Sequence, residues 1–395
     1  MSALDELARA TGAAREAAAG SARRPRLEVA AALGRAAARW RRDPELSALL
    51  PDQTRLSLPC VAAAIDIAAE ALDVDAMLDL VERELGSERA GRPWLVAHVL
   101  ASNVPALAVH AIALGCLAGA AVLVKSGRAD RVSGPAFRRA IEVEDADLAA
   151  TVVATSWTGG DVEAEHALLA HADVVVATGR DATVTALSRR LGTRVVAHGE
   201  RTSVAVVGRA ASRDAHTIAQ ALARDVALHD QRGCLSPVAV YVEGDVHAVA
   251  AQLAAALERV SDELPPGPLD PAERAAHRTA VAEAEWAGAT VLSGAHGTVL
   301  VDDAAPRLRP NPGRRTVWVL PHSSLDDALP AGRIECVGVA GVALDAGMLR
   351  RLGVSRVCAP GRMQRPPLAW PRGQLAPLRT LLALPAEPRL EVEPA

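Results

Sequence analysis

Residues 226–240 read VALHDQRGCLSPVAV, and they carry the thiol on which covalent chemistry in this chain would turn. An apolar helical run ends there. The chain turns through Asp230-Gln231-Arg232-Gly233, and Cys234 follows just before Leu-Ser-Pro and a new strand. Two roles are open to Cys234. One is a small buried filler, the common fate of a free cysteine. The other is a nucleophile: Gly233 lets a backbone N–H beside the thiol face a ligand, and a thiolate with donors around it is activated. Pro237 then enforces an extended exit.

The other candidates sit at the ends of apolar runs. Asn103, in SNVP, is either the N-cap of the helix behind it or a donor to an oxyanion. Lys125, followed by Ser126, ends VLVK; its ammonium either binds ribose hydroxyls or phosphate, or snorkels at a strand end. Thr178-Gly179 precedes a helix N-terminus, either an anion site or an ordinary cap. Glu200 is either a general base or a solvated turn residue. The glycines of Trp157-Thr158-Gly159-Gly160-Asp161 either admit a ligand to the backbone or serve a turn. His98 and His110, inside apolar runs, are expected to be satisfied core residues. No histidine grouping has metal-ligand spacing, and no Ser/His/Asp order stands out.

These residues need elements to position them. Residues 1 to about 90 read as Ala-rich helices broken near Pro44, Pro51 and Pro59. Strands are expected at 94–100, 121–125, 151–155, 173–178 and 194–198, with helices at about 105–118, 133–147, 162–171 and 181–191 between them. The alternation, with each strand apolar on both faces, implies right-handed crossovers and a parallel, doubly wound sheet. Ligands on such sheets bind beyond the carboxyl ends of the strands, where Asn103, Lys125, Thr178 and Glu200 fall. No GxGxxG follows any strand, so the common dinucleotide fingerprint is absent. From about residue 200 a second α/β domain is expected. It has strands at 203–208, 237–244, 289–293, 297–301, 315–319 and 334–340, and helices at 214–229, 247–260 and 271–286. The organisation is therefore 1–90 helical, 91–200 parallel sheet, and 201–395 the domain carrying Cys234.

Bulk properties bound the reading. A chain of 395 residues, 50% hydrophobic, is long enough for two cores. A net charge of -4 with mixed signs gives no case for nucleic acid. The five cysteines, at 60, 116, 234, 336 and 358, lack CxxC spacing, which argues against a disulfide framework and a zinc knuckle. The start, MSALDELARATGAAREAAAG, lacks an apolar h-region, so a reducing cytoplasm is the expected location. Residues 104–124 are apolar enough to span a bilayer, yet Val-Pro, His110 and the change at Gly119 favour a buried helix followed by a strand.

Taken in order, SNVP, VLVKS, VVVATG, Glu200 and Cys234 resemble the aldehyde dehydrogenase superfamily, whose α/β fold pairs a doubly wound cofactor domain with a catalytic domain. Within it, LASNVPAL, WTGGD, VVVATGRDATV, VAHGERTSVAVV, DQRGCLSP, IECVGVAG and APGRMQRPPLAWPRG are similar to the LuxC-type acyl-CoA reductases of bacterial bioluminescence and their relatives. The resemblance spans roughly residues 90–380. It implies Cys234 as nucleophile, Asn103 as oxyanion donor, Glu200 at the position of the base, and Lys125, Ser126, Thr178 and Gly179 at the cofactor. Glu335, in IEC, would hold the nicotinamide ribose. NAD-preferring members carry an acidic residue three after the lysine; here Arg128 stands there, which implies NADPH with NAD as the alternative. The implied reaction is reduction of an acyl-CoA or other acyl thioester to the aldehyde. Its rivals are aldehyde oxidation with Glu200 as base, reduction of an acyl phosphate, and a non-catalytic scaffold. HGERTS differs from the Glu-Leu-Gly-Gly of hydrolytic members, which puts the base role of Glu200 in doubt. A homo-oligomer and an acyl-transferring partner enzyme complete the expectations.

Overall fold

The computed structural model describes residues 2–21, 23–88, 94–322 and 325–393. The expected boundary at 90/91 lies outside the described residues. Five strands, β1 (Leu95–Val99), β2 (Ala121–Lys125), β3 (Val152–Thr155), β4 (Val174–Thr178) and β5 (Val195–His198), form a parallel sheet in the order β3-β2-β1-β4-β5. β1, β2 and β4 are buried along their whole length, as their unbroken Val, Ala and Leu require. The edge strands differ from the sequence reading: β3 and β5 are only partly covered, because each has a neighbour on one side alone. The strand order reverses between β1 and β4, so the loops after them, at Asn103 and Thr178, border the crevice in which such sheets bind ligands.

The second sheet holds eight strands: β6 (Thr202–Val207), β7 (Pro237–Val242), β8 (Thr290–Ser293), β9 (Thr298–Val301), β10 (Thr316–Pro321), β11 (Ile334–Ala340), β12 (Arg356–Cys358) and β13 (Glu391–Val392). Their order is β13-β12-β11-β6-β7-β10-β9-β8, and only the β8–β9 pair is antiparallel. The two short strands β12 and β13 escaped the sequence reading, since three and two residues are too few to show a period. β5 leads into β6 after three residues, so the carboxyl edge of the first sheet meets the amino edge of the second. Cys234 lies just before β7, on that seam.

The apolar stretch 104–124 is a helix, Leu107–Leu117, followed by β2. Among the described residues no helix is long and apolar enough to cross a membrane. Whereas the first helix, Ala3–Ser21, packs through Ala14 and Ala18 with β1, β2 and β4, the four helices between Arg26 and Glu84 pack into a core shared with Leu107–Leu117, Ser133–Glu144, Ala215–Ala227 and Val246–Glu263. The last of these shows the local logic. Val246, Val249, Ala250, Leu253, Ala256, Leu257 and Val260 make one buried stripe, and the Asp245 side chain accepts the Ala248 N–H at its start.

One close approach shapes the loop edge. A Cβ on Gly127 would stand 2.2 Å from Ser102 Oγ and 2.7 Å from the Ala101 carbonyl oxygen. Only glycine lets the loop after β2 lie against the loop after β1.

Candidate active site

Three successive non-glycine residues before Cys234, His229, Asp230 and Gln231, have φ of 57°, 50° and 59°. Each costs on the order of 1–3 kcal/mol in this region, so the turn exists only because its surroundings dictate it. Arg315, 1% exposed on the approach to β10, donates to Asp230 Oδ1 from Nε at 2.9 Å and from Nη2 at 2.7 Å. Asp230 Oδ2 accepts the Gly267 N–H at 2.9 Å. The Gln231 amide bridges strands, donating to the Pro237 and Thr316 carbonyls at 3.0 and 2.6 Å and accepting the Thr316 N–H at 2.9 Å. Arg232 reaches the Thr54 and Arg55 carbonyls. Beyond the turn, Ser203 Oγ on β6 donates to the Cys234 carbonyl at 2.6 Å and accepts the Cys336 N–H at 3.1 Å. The backbone is thus held on both sides of the thiol.

Cys234 lines a cavity of about 100 Å³ together with Asn103, His110, Thr178, His229 and Arg372. A second cavity of about 140 Å³, more apolar, shares His110, Thr178, Trp370 and Arg372 with the first. Asn103 does not cap the helix behind it. That helix begins after Ala106, whose N–H is taken by Asp130 Oδ2 at 2.8 Å. Asn103 Nδ2 instead donates to the Arg232 carbonyl at 2.7 Å, within the cysteine turn, leaving its second N–H for a ligand.

Among the described residues no carboxylate lines the cavity at Cys234. Burial pushes its two imidazoles, His110 and His229, down to about 4, so both are neutral and weakly basic near pH 7. Burial also pushes the Cys234 thiol up; the Arg372 guanidinium opposes this most strongly, Glu335 reinforces it, and the residue's own N–H and Arg201 oppose it further. Arg372 donates from Nη1 to Thr178 Oγ1 at 3.2 Å and stacks 5.9 Å from the Trp370 ring. The sequence reading missed Arg372 as a site residue. A single arginine in a proline-rich tail has no periodic signal, and only its place within AWPRG drew notice.

The remaining candidates separate. Glu200 is not brought to the thiol: its side chain is exposed, its N–H donates to Asp181 Oδ1, and its carbonyl accepts from Arg333. Glu335 is 1% exposed and lies off the cavity wall. Its carboxylate accepts from Ser355 Oγ and from the Gly373 N–H, and pairs with Arg201. Gly179 donates its N–H to the His198 carbonyl at 3.1 Å. At the end of β2, the Lys125 ammonium lies 5.8 Å from the Trp157 ring centroid; burial pushes it down and Glu165 pushes it back up. Ser126 Oγ is buried with no hydrogen-bond partner, and Arg128 is exposed. His98 is buried and His110 largely so, as expected, yet the Nε2 of each lacks a partner, so neither is a fully satisfied core residue.

Removing the buried counterion tests the hold on the turn. Asp230→Ala leaves Arg315 buried and unpaired and is expected to cost roughly 3–5 kcal/mol in urea unfolding; a loss under about 1 kcal/mol would show that the pair does not secure the turn. The pH profile follows from the buried histidines. Burial pushes His98, His110 and His229 down to about 4, and His198 and His277 below their usual value. The unfolded chain therefore binds more protons between about pH 4 and 6.5, and stability is lost as pH falls through that window. Asp225, raised by burial to about 7, and Glu391, also raised, act with the opposite sign but are outnumbered. The urea midpoint at pH 5 is expected below that at pH 7, and His98→Leu is expected to flatten the difference.

Comparison with known proteins places this geometry. A family model described as acyl-CoA reductase (LuxC) matches residues 28–383. A long-chain acyl-protein thioester reductase of Vibrio harveyi is 26% identical over 277 residues, covering 64% of this chain and 57% of that protein. One from Aliivibrio fischeri is 25% identical over 276 residues, covering 65% and 57%. The matched part of the chain thus spans less than two thirds of the length of these relatives. Among solved structures, aldehyde dehydrogenase 21 of Physcomitrella patens superposes with a TM-score of 0.74 at 14% identity, over 97% of this chain and 89% of that one. An indole-3-acetaldehyde dehydrogenase complexed with NAD⁺ gives 0.73 at 18% identity, over 90% and 81%. The fold is that of the aldehyde dehydrogenases, and the chain belongs to the LuxC acyl-CoA reductase family.

Proposed function

We propose that this protein reduces a fatty acyl thioester, with acyl-CoA as the donor, to the aldehyde through an acyl group carried on Cys234. The observation that carries the reading is the composition of the cavity around the thiol. Among the described residues it holds a nucleophile and an amide donor but no carboxylate, and its imidazoles are too weakly basic to activate water at neutral pH. An acyl-cysteine formed there is protected from hydrolysis. The exposed placement of Glu200 weighs against aldehyde oxidation to the acid, which needs a base at the acyl carbon.

The Cys234 sulfur attacks the thioester carbonyl, forming one C–S bond and expelling the donor thiolate through the other. Asn103 Nδ2–H holds the oxyanion together with the Cys234 backbone N–H. The carboxyl edge of the first sheet fits a nicotinamide dinucleotide: it offers the buried, unpartnered Ser126 Oγ and the Lys125 ammonium. Lys125, Ser126, Thr178 and Gly179 would hold the dinucleotide, which supplies hydride when bound. Arg128, exposed beside them, favours a 2′-phosphate and hence NADPH. Glu335 would act on the ribose only by giving up the Ser355, Gly373 and Arg201 partners it now has; its role here is to hold the backbone next to Arg372.

Intact-mass measurement after mixing the protein with a panel of acyl-CoAs, without reductant, tests the reading. An acyl adduct is expected that disappears on adding NADPH and is absent in Cys234→Ala. Full reductase activity in that variant would end the proposal. An adduct formed only from acyl groups on a protein thiol would move the donor from coenzyme A to a protein, as in the names of the Vibrio and Aliivibrio relatives. Asn103→Ala is expected to lower turnover roughly 10²–10³-fold, read as kcat at saturating donor.

A further inference from the structure

We infer that Arg372 is a catalytic residue that stabilises sulfur anions in the Cys234 cavity: the attacking thiolate, and the thiolate expelled from the donor. The second half rests on the proposed thioester reduction; the first does not.

Arg372 lines both the cavity that holds Cys234 and the apolar cavity adjoining it, and among the described residues it is the only permanently charged side chain on either wall. Three contacts fix it. Its Nη1 donates to Thr178 Oγ1, its guanidinium stacks on Trp370, and the next residue, Gly373, donates its N–H to Glu335 Oε1 at 2.9 Å. A long, flexible side chain held at two places, on a backbone anchored at the next residue, loses little further freedom when it meets an anion.

The other charges around the thiol do not replace it. Arg201 pairs with Glu335 through Nε at 3.1 Å, and the two act on Cys234 with opposite sign. His110 and His229 are neutral. Cys336 and Cys358, with Leu235 and Met363, form the apolar cluster against which Cys234 packs. Of the influences that oppose the cost of burying the thiolate, Arg372 is the strongest.

The proposed reaction passes through sulfur anions twice. In acylation the Cys234–carbonyl bond forms and the donor C–S bond breaks, the electron pair leaving on the donor sulfur. In release, once the carbonyl carbon has been reduced, the tetrahedral alkoxide re-forms the C=O bond and expels the Cys234 thiolate. Neither cleavage needs a proton, because a thiolate leaves readily as an anion. A guanidinium suits this chemistry: it stays charged at any working pH and cannot protonate the leaving group.

The test is the pH dependence of iodoacetamide alkylation at Cys234, followed by peptide mass in the full-length protein with neither acyl donor nor dinucleotide. Compared with wild type, Arg372→Gln and Arg372→Met are expected to raise the apparent thiol pKa by about one unit, which is about a tenfold slower alkylation at pH 7. Arg372→Lys is expected to recover most of that rate. Unfolding midpoints of the three variants control for damage to the fold, and two uncharged replacements guard against one that does not fold. Superimposable profiles for wild type and a folded uncharged variant would overturn the inference. Acylation by acyl-CoA, followed in parallel, is expected to slow in the uncharged variants by more than the lost thiolate fraction accounts for. A shifted alkylation profile with no acylation in any form of the protein would uphold Arg372 at the attacking thiolate and count against thioester reduction instead.

Discussion

The site depends on a buried ion pair. Asp230 and Arg315 are 2% and 1% exposed and meet through two hydrogen bonds. Burying two charges is costly, and such a pair is weak evidence for stability in itself. Its use here is geometric. It holds one of three consecutive left-handed residues, and the Gln231 amide, spent on Pro237 and Thr316, holds the next. Strain of several kcal/mol is carried by the turn and balanced by contacts to β7, to the lead-in of β10 and to the loop at Gly267. The thiol's position is therefore set by the packing of the second sheet.

The seam between the sheets supplies everything else. The loops after β1 and β4 bring Asn103 and Thr178 from one side, and the approach to β7 brings Cys234 from the other. The carboxyl-terminal segment closes the third side with Trp370 and Arg372. Asn103 Nδ2 donating to the Arg232 carbonyl joins the first sheet to the cysteine turn directly. Glu335, on β11, joins that turn's neighbourhood to the terminal segment through Arg201 and Gly373.

Charge in the seam is sparse and directed. The cavity walls are apolar, the histidines are neutral, and carboxylates are kept away from the thiol or tied to arginines. Low polarity raises the cost of a thiolate, and the same low polarity strengthens a nearby guanidinium. On the proposed reading, a site arranged this way would favour transfer of an acyl group between sulfurs over attack by water.

Most of the candidate residues, Cys234 apart, were legible in the sequence because they follow continuous apolar strands, and such strands have one reading once helices alternate with them. The parallel sheet and its strand limits to within a few residues were reached in that way, and Asn103 was singled out at a strand end; Cys234 follows a helix and was singled out by the glycine before it and by the resemblance. Asn103 kept two readings until the structure put its helix start at Ala106, because a cap and a ligand donor look alike in sequence. Glu200 matched by spacing alone, and its exposure was decided by the β5–β6 turn. Asp230 and Gln231 looked like loop residues; their partners Arg315 and Thr316 lie far along the chain, and no local pattern joins them. Arg372 belongs to the site only because the terminal segment folds back over the seam. Local periodicity determines which elements form; contacts between distant segments decide which side chains share a cavity and what charge that cavity holds.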